Sequence, residues 1–502
     1  MVVCEAKAVT RTLRHKAVSG LGWSAVSQIA RQVTSFVVAL LLARLVGPDA
    51  YGLVGMVTIF TGFGGLFVEL GLGAAVIQRR ELKDEQISAA FWLNLGMGAF
   101  LAGVVALAAP LMARFYHEPQ LTSIAQVSAL TFVFAALGTV QSALLSREMR
   151  FGALSKIDIV SSVLSGIVGL ALALHGFGAW SLVGQSLSLT VFRTAGLWRS
   201  SNWLPQRAFR LGPIRDFASF SGYLFGFNVF NYWVRNADQM LIGRFVGSQA
   251  LGLYSRAYQL MTFPVYQISG FAGTVMFPVL AGVQGDKARV RSIYLRSIGT
   301  LHLIAAPVYA GLMAVADTFV AAVLGERWMG LVPILRILCT VGFFQPVGNS
   351  TGWLYTALGR TDLMFRWGVL TGVFYVAGFV FAMGWGVLGV TWSYCITSWL
   401  CWYPGWSIVG RCAGLSFTQM LQPLLPASAC AAAMGLAVWL VGLNLPPTIP
   451  FWMALAIQVM SGAAIYGGLV LVLRIKSGQE VMALVRERLS PAAWQSPPPR
   501  VL

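Results

Sequence analysis

Polar side chains recur at helical spacing within two otherwise apolar stretches of the sequence. Within each set the spacing alternates between three and four residues, so each set falls on one face of a helix. The first set is Ser24, Gln28, Arg31 and Ser35, and the second is Asn228, Asn231, Arg235 and Asp238. A guanidinium surrounded by hydrocarbon needs water, a carboxylate or an anionic ligand, and its planar fork suits phosphate. The two faces are therefore candidate anion-binding surfaces.

Each of these side chains also has a purely structural interpretation. Asn, Gln and Ser can be satisfied by hydrogen bonds between packed helices, and Arg235 and Asp238 are close enough in sequence to form an ion pair. Arg256 can extend its charged end towards water, and Glu69 faces either an open cleft or a neighbouring helix. The sequence nevertheless predicts substrate contacts for Arg31, Arg235, Arg256, Gln28, Asn228 and Asn231. It predicts Asp238 and Glu69 as the carboxylates that exchange a coupling ion, H⁺ or Na⁺. No cofactor and no metal site is predicted.

The composition identifies the elements that must position these side chains. Hydrophobic residues make up 57% of the 502 residues and charged residues 10%, against about 25% charged in a soluble protein. One apolar stretch after another reaches the about 20 residues that a helix needs to cross a bilayer. The sequence predicts an all-α polytopic membrane protein with about fourteen transmembrane helices. Prolines inside these helices, Pro346 among them, predict kinks.

The distribution of basic residues predicts the orientation in the membrane. The net charge of +18 would suggest nucleic acid as a partner in a soluble chain, but in a membrane protein it marks cytoplasmic loops. Most Lys and Arg residues fall in the connections on the same side as the N-terminus. The outer connections hold Arg44, Arg114, Arg244 and Arg327. Both termini are therefore predicted to be cytoplasmic, and no nucleic-acid partner is predicted.

An internal repeat predicts two homologous halves. ARLVGPDAYGLVGMV at 43–57 aligns with GRFVGSQALGLYSRA at 243–257, where Arg44 matches Arg244 and Gly52 matches Gly252. An even number of predicted spans separates the copies, so the halves should be related by an axis along the membrane normal and enclose a central cleft. The expected domains are an N-terminal six-helix lobe, a cytoplasmic connection, a C-terminal six-helix lobe, and two extra helices with a basic tail. Their predicted bounds are 1–200, 201–216, 217–415 and 416–502.

The motifs that are missing from the sequence argue against an enzyme. The chain contains no GxxxxGK[ST] phosphate-binding loop and no HExxH metal motif, and its six cysteines show no CxxC spacing. The predicted outer loops are a few residues long, whereas a membrane glycosyltransferase normally needs a larger element to hold its sugars. A transporter without catalytic residues is therefore the prediction.

Several segments resemble one known family. LARLVGPDAYGLVGMVTIF, ELGLGAAVIQRRELKDEQISAAFWLN and ADQMLIGRFVGSQALGLYSRAYQLMTFPV are similar to landmarks of the Wzx-type polysaccharide translocases, in their colanic-acid-like exopolysaccharide and lipopolysaccharide subgroup. EMRFGALSKID and LGERWMGLVPILRIL are similar to further landmarks. The resemblance covers residues 15–415 and implies membership of the multidrug/oligosaccharidyl-lipid/polysaccharide exporter superfamily. Of the charged site residues, the resemblance carries over Asp238, whereas Arg31, Arg235 and Arg256 rest on the argument about charge within apolar spans more than on any motif.

The resemblance implies a substrate and partners. The expected substrate is an undecaprenyl-pyrophosphate-linked oligosaccharide unit, flipped from the cytoplasmic to the periplasmic leaflet by alternating access and driven by an ion gradient. Expected partners are the membrane lipids, a polysaccharide polymerase, and chain-length or export proteins. Three alternatives stay open at this point: a flippase for the lipid-linked peptidoglycan precursor, a cation-coupled drug antiporter, and a membrane enzyme that polymerises glycans. The excess of arginine over acidic residues within the spans disfavours the antiporter.

Overall fold

The computed structural model describes residue 32 and residues 34–68, 84–206 and 222–480. All regular secondary structure in these ranges is helical, which confirms the predicted all-α class. Long-range contacts divide the chain into two compact units, an N-terminal unit that ends at Gly252 and a C-terminal unit that begins at Leu253. The lobe bounds predicted from the repeat stay a prediction.

The N-terminal unit is built from seven helices within the described ranges, and the first residues of an eighth. They are α1 Thr34–Leu45, α2 Pro48–Val68, α3 Asp84–Tyr116, α4 Leu121–Arg147, α5 Phe151–Leu174, α6 Ala179–Ser200, α7 Gly222–Phe245 and the start of α8 Ser248–Gly282. Small residues let neighbours approach closely, as membrane helices require. At Gly98 on α3, for example, an added Cβ would lie 2.8 Å from the backbone oxygen of Phe132 on α4.

The C-terminal unit holds the rest of α8 and the helices that follow it. They are α9 Lys287–Ala314, α10 Ala316–Phe319, α11 Leu331–Gly342, α12 Gln345–Asn349, α13 Thr351–Ala357, α14 Thr361–Ala382, α15 Gly386–Ala413, α16 Phe417–Leu421, α17 Leu425–Asn444 and α18 Phe451–Val472. Helix α9 begins where the Asp286 carboxylate accepts hydrogen bonds from the backbone N–H groups of Ala288 and Arg289, which satisfies two donors at the helix N-terminus. The chain reverses between α14 and α15, so that Tyr375 and Ser398 lie side by side.

The helices have the length and surface of membrane spans. Among the described residues, eight helical segments are long and apolar enough to cross a bilayer, or up to ten if each of two bent pairs forms one span. One of the eight, Thr361–Ala413, comprises both α14 and α15. Large apolar side chains such as Leu107 (83% exposed) and Val472 (79% exposed) lie on the outside, where a lipid environment covers them. The chain is a multi-pass membrane protein, and the count of about fourteen spans stays a prediction.

The two copies of the sequence repeat contact each other reciprocally. A Cβ added to Gly52 on α2 would lie 1.7 Å from the backbone oxygen of Ser248, and a Cβ added to Gly252 on α8 would lie 1.9 Å from the backbone oxygen of Pro48. Gly52 and Gly252 are equivalent positions in the repeat, and so are Pro48 and Ser248. Each copy thus contacts the other through the same two positions, as a two-fold relation between the first turns of α2 and α8 requires.

One membrane segment of the C-terminal unit is broken. Helix α11 ends at Gly342, and the segment Gln345–Ala357 continues at an angle of 45°. Pro346 occupies the first turn of α12, where its missing N–H needs no partner. The bend therefore lies where this proline predicts a kink.

Candidate functional site

Three of the eight predicted site residues lie outside the described residues. These are Gln28, Arg31 and Glu69. Their roles stay predictions, and the structural account of the predicted face of the first membrane helix is confined to Ser35, whose hydroxyl lies 3.2 Å from that of Ser162.

The other predicted polar face lies on α7 and changes from buried to exposed along the helix. Ile242 is fully buried and Asp238 is 3% exposed. Arg235 is exposed, Asn231 is half-buried, and Asn228 is exposed. The face therefore opens in the direction of Asn228, with an arginine between a buried carboxylate and two carboxamides. We call this set, Asn228, Asn231, Arg235 and Asp238, the α7 face.

An aromatic contact with α2 fixes the rotation of α7. The Tyr232 hydroxyl donates a hydrogen bond to the backbone oxygen of Ile59, at 2.5 Å. The ring of Trp233 packs against Phe63 and Phe60, with centroid distances of 5.0 and 6.0 Å. Trp233, which packs on α2, lies about 140° around the helix from Asn228 and about 160° from Arg235, whereas Tyr232 lies next to both of them.

The C-terminal end of α7 makes a second set of contacts, with residues around the end of α3. The Arg244 guanidinium lies 2.7 Å from His117 Nδ1 and 5.5 Å from the centroid of the Phe115 ring. Beside it, a Cβ added to Gly243 would lie 2.9 Å from Tyr116. These contacts hold the C-terminal end of α7 against the end of α3.

Asp238 is held in a defined position by its own helix. The backbone N–H of Gln239 donates a hydrogen bond to Oδ1 of Asp238 at 2.7 Å. A carboxylate that is 3% exposed at membrane depth carries a large desolvation cost and is a candidate for proton or sodium exchange. The predicted role in ion coupling remains a prediction.

Arg256 belongs to the C-terminal unit and differs from Arg235 in its surroundings. It is half-buried on α8, and its Nη1 donates a hydrogen bond to Gln259 Oε1 at 2.5 Å, one turn further along the helix. Its predicted substrate contact stays a prediction.

A cavity of about 210 Å³ lies within the C-terminal unit and was not predicted from the sequence. Helices α11 and α12 contribute one side, and α14 and α15 the other. Its lining consists of Thr340, Val341, Phe344, Gln345, Gly348, Asn349, Tyr375, Tyr394, Ser398, Trp399 and Trp402. We call it the C-unit cavity. The sequence signal that could have revealed it is the run Tyr394, Ser398, Trp402, spaced four residues apart on one face of α15.

The cavity walls contain no formal charge. Of the described residues that line it, none is an acid, a lysine, an arginine or a histidine. No described group of three or more His, Cys, Asp or Glu side chains could hold a metal ion. The cavity therefore offers aromatic faces, amides and hydroxyls to a ligand, and the α7 face offers charge.

Comparison with known proteins identifies the chain's relatives. The family described as polysaccharide biosynthesis protein matches residues 41–333. Teichuronic acid biosynthesis protein TuaB of Bacillus subtilis is 31% identical over 461 residues, covering 91% of this chain and 95% of that protein. Lipopolysaccharide biosynthesis protein WzxC of Escherichia coli is 26% identical over 458 residues, covering 90% of this chain and 88% of that protein.

Solved structures define the fold. The lipid II flippase MurJ in an inward closed conformation matches with a TM-score of 0.70 at 13% identity, covering 90% of this chain and 98% of that one. An inward-facing multidrug resistance MATE family transporter of the MOP superfamily matches with a TM-score of 0.61 at 15% identity, covering 77% of this chain and 98% of that one. At these identities the likeness concerns the fold alone. With its family match over more than half of its length and a 31% identical relative along almost all of it, the chain belongs to the polysaccharide biosynthesis protein family of membrane proteins.

Proposed function

We propose that this protein moves an undecaprenyl-pyrophosphate-linked oligosaccharide repeat unit from the cytoplasmic to the periplasmic leaflet, for exopolysaccharide or lipopolysaccharide biosynthesis. The observation that carries the proposal is the α7 face, where Arg235 lies between the buried Asp238 and the exposed Asn228 in a membrane helix. On this proposal the exposed part of this face is hydrated, because a charged headgroup needs water or a counter-charge within the bilayer.

The names of the relatives support this substrate class. TuaB and WzxC are named for teichuronic acid and lipopolysaccharide biosynthesis, and ExoT of Rhizobium meliloti is named a succinoglycan biosynthesis transport protein. On this proposal the partners are membrane lipids, a polysaccharide polymerase, and chain-length or export proteins. The chain acts as a transporter and performs no covalent chemistry.

The chemistry of the headgroup agrees with the α7 face. The pyrophosphate carries its negative charge next to neutral sugars, and a guanidinium binds phosphate oxygens through two parallel hydrogen bonds. Asn228 and Asn231 offer both donors and acceptors to the adjoining atoms. In the orientation predicted from the basic loops, the open end of the α7 face is the cytoplasmic end, where the substrate is made. Arg31, Gln28 and Arg256 would add to the same binding function.

Alternating access needs a source of free energy. Asp238 is buried 3 residues from an arginine on the same helix, so loading the carboxylate with H⁺ or Na⁺ would change the charge beside the headgroup. This exchange couples the ion gradient to release of the substrate. Glu69 is proposed for the same role.

The likeness to MurJ and to MATE transporters concerns the fold, so it lends no support to the peptidoglycan precursor or a drug cation as the substrate. Deletion of the gene separates these alternatives. A viable deletion strain that lacks surface polysaccharide and accumulates lipid-linked units on the cytoplasmic side supports the proposal. Loss of viability would favour the peptidoglycan precursor, and drug sensitivity as the sole phenotype would favour the antiporter.

The role of Arg235 has its own test. Arg235→Ala in the complementing gene should lower surface polysaccharide at least about tenfold at unchanged amounts of membrane-inserted protein. Arg366→Ala is the matched control, because Arg366 is exposed on α14 and lies outside the α7 face. Wild-type polymer levels with Arg235→Ala would contradict the assignment.

A further inference from the structure

We propose that the C-unit cavity is a binding subsite for one uncharged sugar ring of the transported glycan. The proposal rests on the proposed function for the source of the sugar, but its structural argument uses other residues than the α7 face. Four properties of the cavity support it: its size, its lining, its packed aromatic wall and its unsatisfied polar atoms.

The size of the cavity limits its occupant. At about 210 Å³ it is smaller than the about 300–1,000 Å³ typical of sites for drug-sized ligands. One pyranose ring with its hydroxyl groups fits such a volume, and a complete oligosaccharide does not. The cavity therefore binds part of the substrate.

The chemistry of the lining selects a neutral, amphipathic ligand. The lining combines aromatic rings with polar uncharged groups, and none of the described lining residues carries a charge. A pyrophosphate would lie there without a counter-charge, and a drug cation without a carboxylate, each at a high desolvation cost. A sugar ring presents C–H groups on its faces and hydroxyls around its rim, so it matches both kinds of wall.

The aromatic wall is rigid before any ligand binds. Trp402 and Trp399 pack against Phe344 with centroid distances of 4.6 and 5.3 Å. Behind this wall, the His302 ring stacks on Phe344 at 5.2 Å and Trp406 packs against Trp402 at 5.0 Å. A wall that is already ordered costs little conformational entropy on binding.

Two residues that line the cavity each have a buried polar atom without a hydrogen-bond partner among the described residues. Gln345 Oε1 and Trp402 Nε1 are shielded from solvent and make no hydrogen bond to any described part of the chain. One is an acceptor and the other a donor, which is the complement of a sugar hydroxyl. Buried polar atoms normally have partners, and these two belong to residues that line the cavity.

The hydroxyls of Tyr375 and Ser398, which also line the cavity, already take part in hydrogen bonds. Tyr375 and Ser398 share a hydrogen bond of 2.9 Å, and Ser398 donates to the backbone oxygen of Tyr394 at 2.7 Å.

The break between α11 and α12 brings Gln345 to the cavity, and broken membrane helices line binding sites in transporters. A sugar hydroxyl can form hydrogen bonds with Gln345 Oε1 and Trp402 Nε1, whereas an aliphatic chain cannot, so a sugar gains interactions that a lipid tail does not.

Binding of simple glycosides to the purified full-length protein tests the subsite. The protein is placed in lipid nanodiscs free of sugar detergents. Saturation-transfer NMR then measures methyl β-D-glucoside, methyl β-D-galactoside and methyl α-D-mannoside, with methyl glucuronide as the anionic probe and decanol as the aliphatic one. At least one neutral glycoside should bind in the millimolar range, and at least about tenfold more tightly than the glucuronide.

Variants assign the binding to the cavity. Gln345→Leu and Trp402→Ala should each weaken glycoside binding at least about tenfold. Trp392→Ala is the control, because Trp392 lies on the same helix α15, is 52% exposed and does not line the cavity. The Gln345 variant changes no aromatic packing, so it remains informative if Trp402→Ala fails to fold. Absence of binding by all three neutral glycosides, or binding that both variants leave unchanged, overturns the proposal, as does decanol competing for the site more strongly than any glycoside.

A cellular measurement separates this proposal from the proposed function. If gene deletion abolishes surface polysaccharide, Gln345→Leu should lower it about tenfold at normal protein levels, and an unchanged level would overturn the subsite alone. If gene deletion leaves surface polysaccharide normal, the proposed function fails, and the glycoside measurement still decides whether the cavity binds sugar.

Discussion

The α7 face and the C-unit cavity differ in the side chains that they offer to a ligand. The α7 face carries an arginine and a buried carboxylate along a single helix, whereas three membrane segments surround the cavity with rings, amides and hydroxyls. On the two proposals, one region binds the charged headgroup of a lipid-linked oligosaccharide and the other binds an uncharged sugar ring, so the two can be altered independently.

Reversing the charge at residue 235 should give the largest difference between the effect on surface polysaccharide and the effect on glycoside binding. Arg235→Glu should lower surface polysaccharide at least about 100-fold, because a second carboxylate near Asp238 repels the headgroup. Glycoside binding by the purified variant should equal that of the wild type. If glycoside binding falls as well, the two regions do not act independently.

Disrupting the reciprocal contact between the repeat copies should have the next largest effect. In Gly52→Ala the new Cβ would clash with the backbone of Ser248, and such overpacking costs about 1–3 kcal/mol. We expect about tenfold less surface polysaccharide and unchanged glycoside binding in the C-unit cavity.

Gly55→Ala is the matched control for this experiment. It lies on the same helix, and a Cβ there would meet Leu251 at an ordinary distance of 3.6 Å. Equal polysaccharide levels in Gly52→Ala and Gly55→Ala would show that the close approach of α2 and α8 is not needed for transport.

Loosening the contact that orients α7 should give the smallest effect. Tyr232→Phe removes the hydrogen bond to Ile59 and should destabilise the protein by about 1 kcal/mol, which corresponds to a Tm decrease of about 2–4 °C. Thermal unfolding of the purified protein measures this, and Tyr403→Phe, at a side chain that is 61% exposed, serves as the control. A decrease of the same size in both variants would mean that the Tyr232 hydroxyl does not hold α7 in place.

The two regions also differ in how far the sequence revealed them. The α7 face lies on one helix, so the spacing of Asn231, Arg235 and Asp238 was sufficient to predict it. The lining of the cavity comes from segments around 340–349, 375 and 394–402, and a periodicity within one helix carries no information about which helices become neighbours. Pro346 predicted a kink, but not that the kink would bring Gln345 to a cavity.

The kind of membrane segment is confirmed, and the number of spans stays a prediction. The all-α class and the apolar helices follow from composition. The count depends on how polar helices such as α7 are treated, and on whether a bent segment such as Leu331–Ala357 is one span. Hydropathy along a sequence does not register a bend of 45°, because the bend depends on packing.

The reciprocal contact through Gly52 and Gly252 has a consequence for the origin of the chain. A contact in which each copy presents the same positions to the other is isologous, the kind that joins identical subunits in a homodimer. A half-length ancestor bearing one such hairpin would already have paired with itself through this surface. Gene duplication and fusion would then have kept this self-pairing contact within a single chain.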